Sequence, residues 1–533
     1  MSLPKDNRCR LMNGYEKKLA LMTREQMGEE EYQRIRVLTG NMKRIADLMT
    51  CIPGAIEEFE EDTGAFLEKH GLDMLDPDEM RLIFLSENND YKAELFRSPD
   101  VLDRISESMF RYVQFTQNKL VFRDYLRDKG CVPANRKVAV WRERNNRRCD
   151  GALGGVNLSF IHATLTIELA EGCSVGCDFC GLGAGRLKKV FRYNDGNAEL
   201  FAGVLKVLHE VLGDSAGFGM MYFATEPLDN PDYEKFEDIF FNEFGILPQI
   251  TTAVFDRDIE RTRRLVHELD EKRGFIHRFS LRSLEMAQKA LAEFTPEELV
   301  NVELITQYEE SPYFLPYTVV GSEIENKDKR RRTRENAGLI DEALARTLDA
   351  PLLNNEIKRL KKLKYVDPGT ICCVDGFRVN MCRKTISILT PCHQTPEYPN
   401  GISETEEVIF NDAEDLRNKI FMLIEKYMPE SVPSDEVLKL YDYLRLEDTE
   451  QGKALVSEIS GYVLPVGNYD KKADKENRPN IAVKVVEKLL EGKYNKNELV
   501  RSVMDEDNAA PENVYWMINQ MWKQGLIVDS GFF

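Results

Sequence analysis

The sequence predicts an α/β protein with a central run of parallel βα units, a helical region before it and a small helical domain after it. Three observations carry this. Between residues 163 and 306, short β-rich runs alternate with helical patterns, the mark of parallel strands joined by helices. Residues 1–135 are helical by pattern and hold few strand signals. Beyond a polar stretch at 466–480 come three helical segments near 481–491, 495–504 and 511–525, closed by Leu526, Ile527 and Val528.

Each element has a local reason. Asp76, Pro77 and Glu79 occupy the N-cap, N1 and N3 positions of a helix start. Residues 163–169, Ala-Thr-Leu-Thr-Ile-Glu-Leu, alternate like a strand. Residues 195–213 read as a helix ending at Gly213, 219–225 as a strand, and 231–244 as a helix opened by Asn230 and Pro231. Strand 248–254, helix 258–273, strand 276–281, helix 284–293 and strand 300–306 follow. Two further strands are expected at 369–374 and 384–391, around Asp375 and Gly376.

The chain has 533 residues with 72 Lys+Arg against 91 Asp+Glu, a net charge of −19. That balance argues against a general binder of nucleic-acid phosphates. With 42% hydrophobic and 31% charged residues the chain is of ordinary globular composition. No run of 18 apolar residues suggests a membrane helix, and the N-terminus carries no apolar signal segment. A cytoplasmic location is expected, where thiols stay reduced. Eleven cysteines, an odd number, then need an explanation other than a disulfide framework. Cys9, Cys51, Cys131 and Cys149 are scattered and read as buried or inconsequential thiols.

The informative group is Cys173, Cys177 and Cys180. Random placement of eleven cysteines in 533 residues would give C-x3-C-x2-C in roughly five chains per thousand. A closed zinc site normally needs a fourth ligand, and no His or Cys follows within thirty residues. Three thiolates on a [4Fe–4S] cluster leave one iron open to a substrate or cofactor. Glycines 172, 176, 181, 183 and 185 let the backbone curl closely around such a group.

With Phe179 just before the third cysteine, this triple resembles the signature of the radical S-adenosyl-L-methionine (SAM) superfamily. The resemblance implies a partial (β/α)6 barrel, a [4Fe–4S] cluster on Cys173, Cys177 and Cys180, and SAM on the open iron. It also implies SAM contacts from Phe179, from Thr225 and Glu226 after the second strand, and from Ser280 on the fourth. The usual double glycine before the glutamate is here Ala224 and Thr225. The runs 222–233, 251–254, 278–281 and 294–299 resemble the proteusin-type radical SAM peptide epimerases, which act on ribosomally made peptides. Residues 373–377, 389–392 and 399–401 match that family too. The resemblance implies a precursor peptide with a leader as substrate, a flavodoxin- or ferredoxin-like electron donor, and conversion of L- to D-residues.

Such an epimerase needs a thiol to return hydrogen on the face opposite the adenosyl radical. The family favours Cys373, with Cys372 and Cys392 as alternatives. Adjacent residues on a strand face opposite ways, so Cys372 and Cys373 cannot both enter one site. An auxiliary iron–sulfur cluster using Cys372 or Cys373 with Cys382 and Cys392 competes, as do simple buried thiols.

Four regions follow: a helical domain over 1–150, a barrel over 151–405 with an insertion at 308–365, a helical connector over 406–470, and a winged-helix-like domain over 471–533. Residues 46–86 resemble the helical leaders of ribosomal peptide precursors, or form a cap on the barrel. The run from Lys327 to Arg334 reads as a solvated face or a contact for an acidic leader. The last domain resembles the helical half of peptide-recognition modules, with Leu489, Leu490, Leu499, Val500, Met517 and Trp522 as its core. Other readings are a different radical SAM peptide modification (backbone excision or cross-linking) and an iron–sulfur DNA-binding regulator.

Overall fold

A computed structural model describes residues 28–85, 104–272, 274, 276–312, 320–322, 369–449, 452–461, 463–466 and 480–528. Cys9, most of the 308–365 insertion with its basic run, and most of the 466–480 linker lie outside the described residues.

The chain opens with helices α1 (Glu29–Cys51), α2 (Ala55–Glu61), α3 (Thr63–Lys69), α4 (Pro77–Phe84) and α5 (Glu107–Tyr125). Asp76 caps α4 by accepting from Asp78 N at 2.9 Å, but Glu79 reaches away to Ser106 N at 2.6 Å instead of closing a capping box. Met42, Phe59, Phe66, Leu67, Met80 and Val113 form this layer's core. Arg44 of α1 donates to the carbonyls of Leu291 and Phe294 at 2.7 Å each. Gly40 lets α1 approach closely: a Cβ there would sit 2.6 Å from the Pro296 carbonyl.

Helix α6 (Arg136–Leu153) leads into strand β1 (Ala163–Glu168). The antiparallel pair β2 (Ala170–Glu171) and β3 (Lys189–Val190) frames the cysteine loop. Then come α7 (Asp195–Leu212), α8 (Tyr233–Phe244), β4 (Thr251–Thr252), α9 (Ile259–Glu271), β5 (His277–Leu281), α10 (Leu284–Glu293) and β6 (Val302–Thr306). After the insertion follow β7 (Val374–Asn380), β8 (Thr385–Pro391), β9 (Ile402–Glu404), β10 (Val408–Ile409) and α11 (Ala413–Tyr427).

Strands β4, β5 and β6 pair in parallel, as do β1 and β7. Parallel bridges Thr166↔Met220 and Met220↔Gln249 join the two sheets. The order is therefore β6-β5-β4-Met220-β1-β7-β8, with β8 antiparallel to β7, β9 and β10. Among the described residues no pairing joins β6 to β7 or β8, so the small sheets do not close into a barrel.

Several expectations need correction. Residues 219–225 make only two isolated bridges, both at Met220, rather than a strand. The helix expected from Asn230 starts after Asp232, and Asn230 instead donates to Leu169 O and Phe191 O. The strand expected over 369–374 begins at Val374 and runs through Asp375 and Gly376 to Asn380, so the turn lies at 381–384.

The connector expected to be helical over 406–470 is mixed. Its helix α11 joins the central core through Leu416, Ile420 and Leu423. Its remainder contains an antiparallel sheet of β11 (Leu444–Thr449), β12 (Gly452–Ser457) and β13 (Val463–Pro465). That sheet shares one core with α12 (Ile481–Glu491), α13 (Lys496–Asp507) and α14 (Pro511–Lys523), through Leu455, Val486, Leu489, Leu499, Met517 and Trp522. The expected boundary at 470 cuts this core, and Leu490 faces solvent instead of joining it.

Candidate active site

Alternation gives the parallel sheet a helix-facing side and an inner side. Leu165 and Ile167 of β1 pack with Phe201 and Val204 of α7. Thr164, Thr166 and Glu168 take the opposite side. On β5, Phe279 and Leu281 pack with Ala287 of α10, leaving Arg278 and Ser280 inward. Glu168 is buried and binds Ala224 N at 3.0 Å, Asn380 Nδ2 at 3.0 Å and the Arg378 guanidinium at 2.9 Å. One carboxylate thus ties β1, the segment after Met220 and β7 together.

The cysteine loop leaves the C-terminal end of β1. Cys173 N donates to Gly185 O at 2.8 Å, and Ser322 N, from the insertion, donates to Cys180 O at 2.9 Å. Gly172 has φ 81° and no room for a Cβ, which would meet Arg186 O at 2.2 Å. Asp229 clamps the loop from the short turn Pro227–Asp229, accepting from Ser174 N at 2.8 Å and from the Ser174 hydroxyl. Arg257 bonds both Asp229 at 2.9 Å and Ser174 Oγ at 2.7 Å.

The three thiols are neighbours, and burial, then Cys173 and Cys180, pushes the Cys177 thiol up to about 12. Yet among the described residues they do not form a group with ligand atoms all within 4.8 Å.

Around the loop, Glu226 is buried and accepts from Leu228 N at 3.1 Å and Ala253 N at 2.9 Å. Burial raises its carboxyl, opposed by the Ala253 amide. Thr225, Phe179 and Ser280 are half-buried. Arg282 at the end of β5, unnoticed in the sequence, donates to Ala253 O at 3.0 Å.

Cys373 lies at the other end of the sheet. Its neighbour Val374 pairs with Ala163 at the start of β1, and six residues of β1 span about 16 Å towards the cysteine loop. Cys373 is half-buried and packs with Tyr222, Cys372 and Val374. Burial raises its thiol against the opposing charge of Arg278. Cys372 is a core thiol, 1% exposed, bonded within its own turn to Val374. Cys392 is buried, and burial pushes it up to about 12 against Arg148. Cys382 follows β7, whose seven residues put it about 20 Å from Cys373. No auxiliary cluster can draw on both ends of that strand.

A polar network lies behind Cys373. His162 has φ 50°, uncommon for a non-glycine residue, and its carbonyl accepts from Arg142 Nε at 2.7 Å. Asn157 Nδ2 faces three acceptors, so its Oδ1 must accept from His162 Nε2 at 2.8 Å. His162 Nδ1 then shares a proton with Asp375, whose other oxygen accepts from Thr390. Cys149 completes a group of potential metal ligands with His162 and Asp375. Both imidazole nitrogens are engaged, however, and the Arg148 guanidinium lies 3.5 Å from Cys149 Sγ. The group is a hydrogen-bonded brace rather than a cation site.

No family model and no solved structure matches the chain. It is 32% identical over 382 residues, 72% of its own length and 68% of the relative's, to the uncharacterized protein y4wI of Sinorhizobium fredii (strain NBRC 101917 / NGR234). The chain belongs to the family of that protein. Among the described residues no helix is long and apolar enough to cross a membrane.

Proposed function

We propose that the protein is a cytoplasmic radical SAM peptide epimerase, converting L- to D-residues in a ribosomally made precursor. The observation that carries the reading is the opposition of two cysteine sites across the inner face: a glycine-cradled triple at one end, and the Cys373 thiol at the other.

Cys173, Cys177 and Cys180 would hold a [4Fe–4S] cluster, with Thr225, Glu226, Ser280 and Phe179 around SAM. When bound, the cluster and SAM supply an adenosyl radical that removes the Cα hydrogen of a substrate residue. Cys373 then acts from the opposite face: its S–H bond breaks, a Cα–H bond forms with inverted configuration, and a thiyl radical remains. One electron from a flavodoxin- or ferredoxin-like donor and one proton from solvent would restore the thiol. The Asp229–Arg257–Ser174 clamp fixes the cluster loop, and Glu168 holds the strand ends in register.

The reconstituted enzyme, incubated with precursor in D2O, should place one deuterium at each converted Cα. A Cys373→Ala variant should still cleave SAM without completing inversion. Unlabelled product, or product whose mass in ordinary water differs from the substrate's, would sink the reading.

A further inference from the structure

The cysteine loop is bordered by exposed cations, in a chain whose net charge is −19. Backbone pairing builds this border. Arg186 is the bridge partner of Cys173. Leu187 N donates to Cys173 O at 3.0 Å and Lys188 N to Glu171 O at 2.8 Å, and Lys189 is the register partner of Glu171. Paired strands lie about 5 Å apart, so the basic segment runs directly beside the first cysteine. Arg186, Lys188, Lys189 and Arg192 are all exposed.

Where these cations have acidic partners, the partners are recessed beneath them. Lys188 keeps 71% of its side-chain surface, against 29% for Glu171 at 3.1 Å. Arg192 keeps 62% and shares with Lys235 the carboxylate of Asp232, which keeps 11%. Arg257 keeps 48% over Asp229 with 2%. Positive charge thus faces the solvent while its counter-charge stays inside. Asp178 is the one exposed carboxylate over residues 171–194. Residues 313–319 and 323–368, outside the described residues, hold 12 Lys+Arg against 9 Asp+Glu, so they carry no net negative charge to offset the rim.

We propose that this rim is the docking surface for an acidic electron-carrier protein, oxidised by one electron as the group held by Cys173, Cys177 and Cys180 is reduced by one. This rests on the epimerase reading, which requires electrons to reach that loop from outside. The position favours a carrier over an acidic peptide. A substrate residue has to lie between the loop and Cys373 on the inner face, whereas these cations face solvent at the loop itself. A carrier must approach closely, deliver and leave. Exposed charge complementarity gives fast, oriented and short-lived encounters without a large interface.

The test uses the full-length chain and an acidic flavodoxin as probe. The first measurement is binding to immobilised oxidised flavodoxin, which needs no turnover. Wild type should bind, and binding should weaken steeply as ionic strength rises through about 0.1 M, where the screening length falls to about 10 Å. Lys188→Glu/Lys189→Glu should associate roughly tenfold more slowly at low salt. Arg445→Glu/Lys453→Glu, an equal charge change on β11 and β12, should bind as wild type. Equal weakening in both variants would make net charge the cause and overturns the proposal. So does unchanged binding in Lys188→Glu/Lys189→Glu, or no salt-sensitive binding in wild type. If that variant does not fold, Lys188→Gln/Lys189→Gln decides, with association slowed about threefold; no slowing refutes. The second measurement is SAM cleavage by the reconstituted protein, driven by reduced flavodoxin or by dithionite. The rim variant should lose the flavodoxin-driven rate and keep the dithionite-driven one, because dithionite needs no docking; equal loss of both refutes. A poly-glutamate peptide is the competing probe: if it binds the rim and flavodoxin does not, the rim is a leader site and the proposal falls. Absence of SAM cleavage with dithionite in wild type sinks the epimerase reading alone, and flavodoxin binding still judges the surface.

Discussion

Replacing Asp229 with asparagine should unfasten the cysteine loop without unfolding the protein. The Asp229 side chain is 2% exposed and its carboxylate takes two bonds from Ser174 and one from Arg257. Hydrogen bonds to a charged acceptor contribute about 1.5–3 kcal/mol each. Asparagine keeps one acceptor but points an N–H at a donor. Arg257 is 48% exposed, so its ion pair adds at most about 1 kcal/mol after screening. The loop should therefore lose about 2–4 kcal/mol. At about 1.4 kcal/mol per tenfold, opening becomes roughly thirtyfold to several hundredfold more frequent. The loop is a local unit, so the melting temperature should move by only a few degrees. Two assays read this: alkylation of Cys173, Cys177 and Cys180 before reconstitution, and iron release to a chelator afterwards. Rates within about threefold of wild type would refute the clamp. So would a collapse of global stability that matched the local loss.

Two further outcomes follow from the same geometry. Glu237 of α8 is 1% exposed, and neither of its oxygens has a hydrogen-bond partner. Burial, then Glu268 and Glu234, raises its carboxyl well above the usual range. A raised folded value gives stability that is full below the unfolded carboxyl near about 4.3 and is lost as pH climbs towards the folded value. Glu237→Gln should match wild type in acid and exceed it by about 1–3 kcal/mol at alkaline pH, by urea titration; parallel pH profiles would refute this. Gly172→Ala places a Cβ against Arg186 O in a left-handed backbone. It should reduce iron incorporation severely while leaving the far-ultraviolet circular dichroism unchanged; normal iron content would refute the tight cradle.

Much of the central framework was legible because its signals are local. Helices over 195–213, 258–273 and 284–293 announce themselves by apolar period and by caps at Asn194, Asp258 and Ser283. The strand around Met220 was misread because its β-rich letters meet only one bridge on each side; pairing, not propensity, decides a strand. The sheet β11–β13 was missed because charged residues such as Arg445, Glu447 and Lys453 mask a half-exposed sheet. The cysteine triple declares itself by spacing alone. Its clamp at Asp229 and Arg257 joins residues far apart in sequence, which only folding brings together.

The docking of α1 against the β6 side has a practical consequence for handling the chain. Among the described residues β6 pairs only with β5, so one rim of the parallel array ends in a strand without a second neighbour. Bare strand rims recruit other chains. Tyr308 and Ser311, just past β6, are bonded to the carbonyls of Cys51 and Thr50 at the end of α1, and Gly40 brings that helix onto the backbone at Pro296. The N-terminal helices thus serve as a sheath over an aggregation-prone rim. A truncated chain lacking residues 29–125 should self-associate through it, and any minimal fragment for crystallisation or engineering has to begin upstream of α1.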